Sequence, residues 1–230
     1  MRGRSWFLVV ILVLLAACGA VGASVPFYEL TADPARYAAW FGSLLTTPRP
    51  GDRMLDYGCG VGYVCSLFSG LGYDVTGVDI SPRALEIGRR REPNVMFLEA
   101  ESDGSLLFDD GHFAVIACLG VLEHVPEPEP VVQELRRVAA ADATAVWVVP
   151  NARSPFFWFG HGTGQIEEHP RTLDGWRELL AENGWAIEDV RRDPGPIDRP
   201  VAAWKRLAQA FLNRLPLGLT YQFVIETRAV

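Results

Sequence analysis

The sequence contains few of the residues that build metal centres, disulfide frameworks or nucleic-acid surfaces. It has 4 histidines and 4 cysteines, with no C-x-x-C pair among Cys18, Cys59, Cys65 and Cys118. We therefore expect free thiols and no metal. The formal net charge is -7 and no basic stripe with interleaved aromatic residues is present, which argues against a nucleic-acid partner. These absences favour a small-molecule or lipid-linked partner of unknown identity.

The chain of 230 residues is long enough for one well-buried domain and too short for two of ordinary size. We predict a hydrophobic segment at residues 1–25 and one domain at residues 26–230. From residue 27 onward, short apolar runs alternate with helical patterns, which is typical of a mostly parallel sheet covered by helices on both faces. The pattern predicts an α/β, doubly wound fold.

The apolar runs predict seven strands, at residues 53–57, 74–79, 95–100, 113–119, 143–149, 185–190 and 219–227. Helices are predicted at residues 35–47, 61–71, 81–91, 128–140, 172–183 and 201–213. Ser81 before Pro82 is a helix N-cap, and Asn183 with Gly184 is a helix end. Residues 151–170 have no clear period and predict a loop over the sheet, of the kind that often carries specificity.

The strongest local signal is a buried strand that runs into three glycines at alternate positions, Gly58, Gly60 and Gly62. Glycine lets the chain turn at positive φ and lets a ligand lie against bare backbone at a helix N-terminus. A dinucleotide fingerprint would place its last glycine two or three residues later, where Tyr63 and Val64 stand. This spacing disfavours a grip on a pyrophosphate.

The second predicted strand ends at Asp79, seventeen residues after Gly62. A carboxylate at this place can accept hydrogen bonds from both hydroxyls of a ribose. Nicotinamide cofactors and S-adenosylmethionine both present an adenosine at the carboxyl edge of a parallel sheet, so Asp79 alone does not choose between them.

Four segments in order resemble the class I S-adenosylmethionine-dependent methyltransferases, particularly the group that modifies quinones, lipids and other small molecules. They are LDYGCGVG at residues 55–62, VDIS at 78–81, VLEHV at 121–125 and PN at 150–151, within a resemblance that covers about residues 27–190. The resemblance implies a Rossmann-like fold whose seven-stranded sheet has an antiparallel last strand. The apolar composition of residues 1–25 predicts a hydrophobic N-terminal helix before it. It also implies S-adenosylmethionine as the cofactor.

Transferred position by position, the resemblance assigns cofactor contacts to several residues. Asp56, Gly58 and Gly60 would contact the methionine end, with Gly62 closing the loop, and Asp79 would hold the ribose. The remaining residues assigned to the cofactor are Ile80, Glu101, Ser102 and Leu119, of which Glu101 is the adenine candidate.

The chain departs from the family pattern at three places. Ala100-Glu101-Ser102 replaces a Gly-Asp pair, Ala114 replaces an aspartate, and Ala141-Asp142-Ala143 replaces Pro-Gly-Gly. The departures motivate an alternative, a non-catalytic binding module with this fold. A nicotinamide oxidoreductase is a further alternative, which the glycine spacing disfavours.

Methyl transfer from a sulfonium is an in-line displacement, so alignment can supply much of the catalysis and no metal is required. A hydroxyl acceptor, which we slightly favour, would need a base. His124 follows the fourth predicted strand and is our catalytic candidate with Glu123, although His124 could equally hold the neighbouring loop in place. His161 and His169 lie in the predicted loop and are substrate candidates.

Aromatic and basic clusters in two places would suit a lipid-borne acceptor. Residues 156–159 are four consecutive large apolar side chains, and residues 204–217 combine a Lys-Arg pair with apolar positions. Ordinary core packing explains both patterns at least as well.

No charged residue lies between Arg4 and Glu29. This segment fits a membrane anchor, a cleaved signal, in which LAAC at residues 15–18 resembles a lipoprotein processing site, or a start placed too early. The flanking charges mildly favour export of the domain, whereas S-adenosylmethionine is made in the cytosol. We expect membrane association through residues 5–25 with the catalytic domain in the cytoplasm, or a soluble cytoplasmic protein if the start is overlong.

Overall fold

The computed structural model describes residues 49, 51–101, 104–154, 168–193 and 216–230. The predicted N-terminal segment and the predicted helices at 35–47 and 201–213 lie outside these residues, as does most of the predicted loop at 151–170. Within the described ranges, no helix is long and apolar enough to cross a membrane.

Seven strands of the described residues form one sheet. They are β1 (Arg53–Tyr57), β2 (Asp74–Asp79), β3 (Met96–Glu99), β4 (Phe113–Leu119), β5 (Ala139–Pro150), β6 (Trp185–Arg192) and β7 (Gln222–Ala229). Their spatial order is β3-β2-β1-β4-β5-β7-β6. Strands β1 to β5 pair in parallel, and β7 is antiparallel to both β5 and β6. The predicted fold class and the antiparallel last strand are confirmed.

Within the described ranges, four helices cover the two faces of this sheet. They are α1 (Tyr63–Leu71), α2 (Pro82–Arg91), α3 (Glu129–Val138) and α4 (Leu173–Glu182). Phe68 of α1 and Leu85 of α2 share one core cluster with Met54. Leu135 of α3 and Trp176 of α4 belong to the cluster on the other face. The sheet is therefore doubly wound, because apolar side chains alternate between its two faces and each face needs cover.

The caps predicted from sequence are present. The Ser81 hydroxyl accepts a hydrogen bond from the Ala84 amide at 3.3 Å, at the start of α2. Helix α4 ends before Asn183, and Gly184 follows with φ of 82°. The start of α2 and the end of α4 are therefore set by local sequence, as their cap residues indicate.

Several element boundaries differ from the prediction by one or two residues, and the starts of β5 and β7 differ by four and three. The helix predicted at 128–140 ends at Val138, and β5 begins at Ala139, where it pairs with Phe113 across an irregularity in β4. Alanine favours helices, so residues 139–142 fit a helix by propensity, but pairing within the sheet determines their structure. Strand β7 begins at Gln222 because residues Leu217–Leu219 form a 3-10 turn.

The strand order places the candidate site. The chain proceeds from β1 outward to β3, and then returns to β4 on the other side of β1. The carboxyl ends of β1 and β4 therefore flank the point where the order reverses, which is where open α/β sheets bind ligands. Tyr57 pairs with Val78 on one side and with Cys118 on the other, so β1, β2 and β4 end at the same edge.

Candidate functional site

A tight loop at residues 58–62 connects β1 to α1 and lies against the end of β2. The amides of Gly58 and Cys59 both donate to the carbonyl oxygen of Val78, at 2.7 and 3.0 Å. Gly58, Gly60 and Gly62 have φ angles of 78°, 53° and 80°. Residues other than glycine rarely adopt this left-handed backbone conformation, so the loop needs these glycines for its path.

The three glycines differ in what faces them. A Cβ atom on Gly58 would lie 2.2 Å from Cγ2 of Val121, and one on Gly62 would lie 2.7 Å from Cζ of Phe97. A Cβ on Gly60 would meet none of the described residues within 4 Å. Packing thus explains the small size of Gly58 and Gly62. Gly60 instead presents bare backbone to open space, as contact with a ligand would require.

Asp79, the last residue of β2, holds the loop in place. Its Oδ2 accepts a hydrogen bond from the Gly60 amide at 2.8 Å, and its Oδ1 accepts one from the Ser81 amide at 2.8 Å. Each carboxylate oxygen keeps a further lone pair, so Asp79 can order the loop and still accept hydrogen bonds from two ribose hydroxyls. The structure brings Gly60 and Asp79 together, as the sequence predicted.

Ile80, Glu101 and Leu119 lie at the same edge of the sheet, and Ser102 lies outside the described residues. Ile80 is 81% exposed, an unusual position for a large apolar side chain, and offers an apolar surface beside Asp79. Glu101 is exposed after β3, and Leu119 is half-buried at the end of β4. Their contacts with a cofactor stay a prediction.

Asp56 lies behind the glycine loop, on the α1 side of β1. It is 3% exposed, and its Oδ2 accepts a hydrogen bond from the Cys65 thiol at 3.3 Å. Burial raises the pKa of the Asp56 carboxyl to about 7, with a smaller contribution from nearby Asp79, while the Cys65 hydrogen bond lowers it. A cation placed next to this carboxyl would favour its ionised form.

A second buried carboxyl, Glu123, lies just beyond the end of β4. It belongs to the 3-10 turn Leu122–His124, is 4% exposed, and finds no hydrogen-bond partner for its Oε2 among the described residues. Its Oε1 lies 3.6 Å from the point where a Cβ on Gly120 would stand, so the carboxyl lies close to the end of β4. Burial raises the pKa of Glu123 to about 7, partly offset by its own backbone amide and by His124.

The predicted acceptor residues come together at this turn, apart from His161, which lies outside the described residues. His124 is half-buried beside Glu123. The backbone amide of His169 donates to the carbonyl oxygen of Glu123 at 2.7 Å, while its side chain is exposed. An ion pair also joins the segment after His169 to the start of α3, since Arg171 Nη2 lies 2.9 Å from Glu129 Oε1.

Asn151, part of the segment that resembles the methyltransferases, has a structural role. Its side-chain amide donates to the carbonyl oxygens of Gly218 and Thr220 at 2.9 and 2.8 Å, and its Oδ1 accepts from the Arg153 amide at 3.0 Å. These bonds tie the end of β5 to the approach to β7. The Asn151 side chain is thereby committed to the fold.

The departures at Ala114 and at residues 141–143 lie away from the candidate site. Ala114 stands near the start of β4, at the irregularity between Phe113 and Val115, and residues 141–143 lie in the first half of β5. In parallel strands both places belong to the amino edge of the sheet. They leave the carboxyl edge, with its glycine loop and Asp79, unchanged.

Sequence reasoning missed the contacts that fit the glycines to their neighbours. Phe97 faces Gly62, Gly77 and Gly88, where added Cβ atoms would lie 2.7, 3.0 and 2.9 Å from its ring. Gly77 also faces Cys59 and Cys65. The only available signal was Gly77 itself, because a glycine inside a strand often marks a close approach of neighbouring groups.

A family model described as "Methyltransferase domain" matches residues 28–188 of the chain. The chain is also similar to enzymes named ubiquinone biosynthesis O-methyltransferase. The one from Alkalilimnicola ehrlichii is 26% identical over 177 residues, which covers 74% of this chain and 65% of that protein. The one from Albidiferax ferrireducens is 34% identical over 91 residues, 37% of this chain and 36% of that protein. The chain thus spans about a third to two thirds of these first curated relatives.

Solved structures of low sequence identity share the fold. Geranyl diphosphate C-methyltransferase from Streptomyces coelicolor, in complex with S-adenosyl-L-homocysteine, has a TM-score of 0.68 at 18% identity, covering 85% of this chain and 80% of that one. The methyltransferase in a complex with the Haloferax volcanii activator Trm112 has a TM-score of 0.66 at 18% identity, covering 84% and 88%.

Proposed function

Because the chain belongs to the class I S-adenosylmethionine-dependent methyltransferases, we propose that it transfers a methyl group from this cofactor to a small-molecule or lipid-linked acceptor. A hydroxyl oxygen is the favoured acceptor atom. The observation that carries the proposal is the arrangement at one edge of the sheet. There, the Gly60 backbone faces open space while its amide is bonded to Asp79, and a buried carboxyl with an unpaired oxygen, Glu123, follows the neighbouring strand β4.

The residues around the glycine loop fit the cofactor. S-adenosylmethionine supplies an electrophilic methyl group on a sulfonium when bound. Asp79 accepts hydrogen bonds from the ribose hydroxyls, and the loop that Gly58 and Gly62 shape lets the backbone of Gly60 approach the methionine end. Asp56 provides the negative charge that favours the ammonium group at that end. The open space above Gly60 leaves room for the methionine end of the cofactor.

Further residues at this edge complete the proposed cofactor site. Ile80 and Leu119 offer apolar surfaces beside the adenosine, and Glu101 with Ser102 is assigned to the adenine. The described groups come from the ends of β2, β3 and β4 or directly after them, and β1 lies between β2 and β4.

On the acceptor side, Glu123 and His124 hold or remove the proton of a hydroxyl group. A buried carboxyl with pKa of about 7 and a free oxygen is a suitable base near neutral pH. His124 adjoins it, and His169 is tied by its backbone to the same turn. We assign His161 and His169 to the acceptor. Because the displacement is in line, positioning of the acceptor oxygen does much of the work.

The names of the relatives support a hydroxyl acceptor, since both are O-methyltransferases of ubiquinone biosynthesis. We propose that residues 5–25 associate with a membrane and that the catalytic domain lies in the cytoplasm, where the cofactor is made. The apolar composition of this segment supports the proposal, and it suits a lipid-linked acceptor. A soluble cytoplasmic form is the alternative if the start is overlong.

The first test is calorimetric titration of S-adenosylhomocysteine, the product of the cofactor, into the full chain. It needs no acceptor. We expect a dissociation constant in the micromolar range and one site per chain. Folded protein that binds neither this product nor the cofactor would overturn the proposal. A screen of hydroxylated and amine acceptors, read by release of S-adenosylhomocysteine, then tests the preference for oxygen.

A further inference from the structure

Two cysteine thiols meet beneath the glycine loop. Cys59 lies in the loop, Cys65 lies in the first turn of α1, and both face Gly77 of β2. A Cβ on Gly77 would stand 2.9 Å from Sγ of Cys59 and 2.8 Å from Sγ of Cys65. The two sulfur atoms thus occupy adjacent positions over one glycine, close enough for the thiols to hydrogen-bond to each other. Neither thiol has a part in the proposed methyl transfer.

The surroundings of the pair determine its reactivity. Cys59 is 8% exposed, whereas Cys65 is fully buried. The hydrogen bond with Cys65 lowers the pKa of the Cys59 thiol, but burial and the carboxylates of Asp56 and Asp79 raise it by more. The same hydrogen bond and burial raise the pKa of the Cys65 thiol. Both are therefore protonated at neutral pH and react slowly. The Asp56 carboxylate, 3.3 Å from Cys65 Sγ, is positioned to accept a proton from it.

We propose that Cys59 and Cys65 form a modification site, at which a hydroperoxide oxidises the two thiols to a disulfide that distorts the glycine loop. The Cys59 sulfur attacks the peroxide, the O–O bond breaks, and a sulfenic acid forms with release of an alcohol, or of water from hydrogen peroxide. The Cys65 sulfur then displaces hydroxide from the sulfenic sulfur. The proton that Asp56 takes from Cys65 leaves with this hydroxide as water. In sum, two thiols and one hydroperoxide give a disulfide, an alcohol and water.

The disulfide changes the loop because its bond length of about 2.05 Å is much shorter than any contact between two thiols. Cys59 must move toward Cys65, and its chain neighbours Gly58 and Gly60 move with it. The hydrogen bond of 2.8 Å between the Gly60 amide and Asp79 Oδ2 cannot keep its geometry during that shift. Oxidation therefore opposes the loop shape that we assign to cofactor binding, and a bound cofactor opposes oxidation in turn.

Formation of the disulfide does not depend on the proposed function, but its effect on the cofactor does. The experiment uses the full chain, reduced and then treated with hydrogen peroxide, with and without S-adenosylhomocysteine. Free thiols are alkylated, and the digest is analysed by mass spectrometry. We expect the peptides that contain Cys59 and Cys65 to be linked, with a mass two hydrogens below the sum of the two reduced peptides. We expect the linkage to form more slowly when S-adenosylhomocysteine is present.

Calorimetry on the same samples measures the consequence. We expect the affinity for S-adenosylhomocysteine to fall at least about tenfold on oxidation and to return after treatment with dithiothreitol. Cys59→Ser and Cys65→Ser should each block both the linkage and the loss of affinity. Cys118→Ala, which removes a buried thiol of β4 outside the pair, should leave both unchanged.

Two results would overturn the proposal: alkylated Cys59 and Cys65 after prolonged treatment, or a linked pair whose affinity stays within about twofold of the reduced protein. If the reduced protein binds no S-adenosylhomocysteine while the linkage still forms, the proposed function fails and the modification site stands.

Discussion

The buried carboxyl of Asp56 makes cofactor binding depend on pH. In the structure its pKa is raised to about 7, chiefly by burial. A bound ammonium group next to this carboxyl would return its pKa toward the ordinary aspartate value near 4. Because the complex then holds the proton more weakly than the free protein does, binding releases a proton wherever the free carboxyl is protonated. Affinity therefore rises with pH and levels off above pH 7.

The size of the effect follows from the two pKa values. At pH 6 the free carboxyl is about 90% protonated, and at pH 8 about 10%, for a pKa of about 7. The affinity for S-adenosylhomocysteine should thus be about tenfold weaker at pH 6 than at pH 8, or about 1.4 kcal/mol. Titrations at pH 6 in buffers of different ionisation enthalpy should show release of about 0.9 proton per ligand, because nearly every free carboxyl carries a proton there.

Asp56→Asn is the control, since it keeps the shape of the side chain and cannot ionise. We expect its affinity to be low at both pH values and nearly independent of pH. The reasoning would be refuted if the parent chain bound equally well at pH 6 and pH 8. It would also be refuted if Asp56→Asn kept the tenfold change, which would assign the titration to another group.

Three further changes test other parts of the site. Asp79→Ala should weaken binding of S-adenosylhomocysteine by about 1.5–3 kcal/mol in calorimetry, whereas Asp74→Ala, at the opposite end of β2, should not; equal affinities would remove Asp79 from the site. Gly58→Ala should lower the free energy of unfolding by about 1–3 kcal/mol in urea, because its Cβ would lie 2.2 Å from Val121, whereas Gly60→Ala should cost less stability and more affinity. Glu123→Gln should slow methylation of a hydroxyl acceptor and raise the melting temperature more at pH 8 than at pH 5. The pKa of Glu123 is raised to about 7 in the folded chain, so the stability of the parent chain falls as pH rises through about 7. A difference in melting temperature that does not depend on pH would contradict this reasoning.

The sequence predicted the strands nearest the site to the residue. β1, β2 and β4 are short apolar runs whose ends are marked by charged residues or glycine, and such runs form buried strands. The starts of β5 and β7 were wrong. Whether Ala139 continues a helix or joins the sheet depends on Phe113, which is distant in sequence. Local propensity does not contain that information.

The sequence predicted which segments meet at the candidate site but not how their side chains pack against each other. The proximity of Gly60 and Asp79 follows from the edge at which parallel strands end, so spacing was enough to predict it. The division of the glycines between packing and ligand contact depends on Val121 and Phe97, which sequence cannot place beside them. Cys59 and Cys65 were expected to be free thiols, and they are, but their meeting over one glycine follows from the turn of the loop.

Asp56 and Glu123 are two titrating carboxyls, placed in β1 and just beyond the end of its neighbouring strand β4. Asp56 lies in β1 on the side of α1, and Glu123 follows β4 in the turn that leads to α3. Burial raises both pKa values to about 7, so neither is fully charged at neutral pH. The proposed ligands act on them in opposite ways. The ammonium end of the cofactor drives Asp56 to its charged form, whereas the hydroxyl acceptor gives its proton to Glu123. Saturating cofactor therefore removes the Asp56 contribution from the pH dependence of turnover, and the remaining rise through pH 7 belongs to the acceptor side.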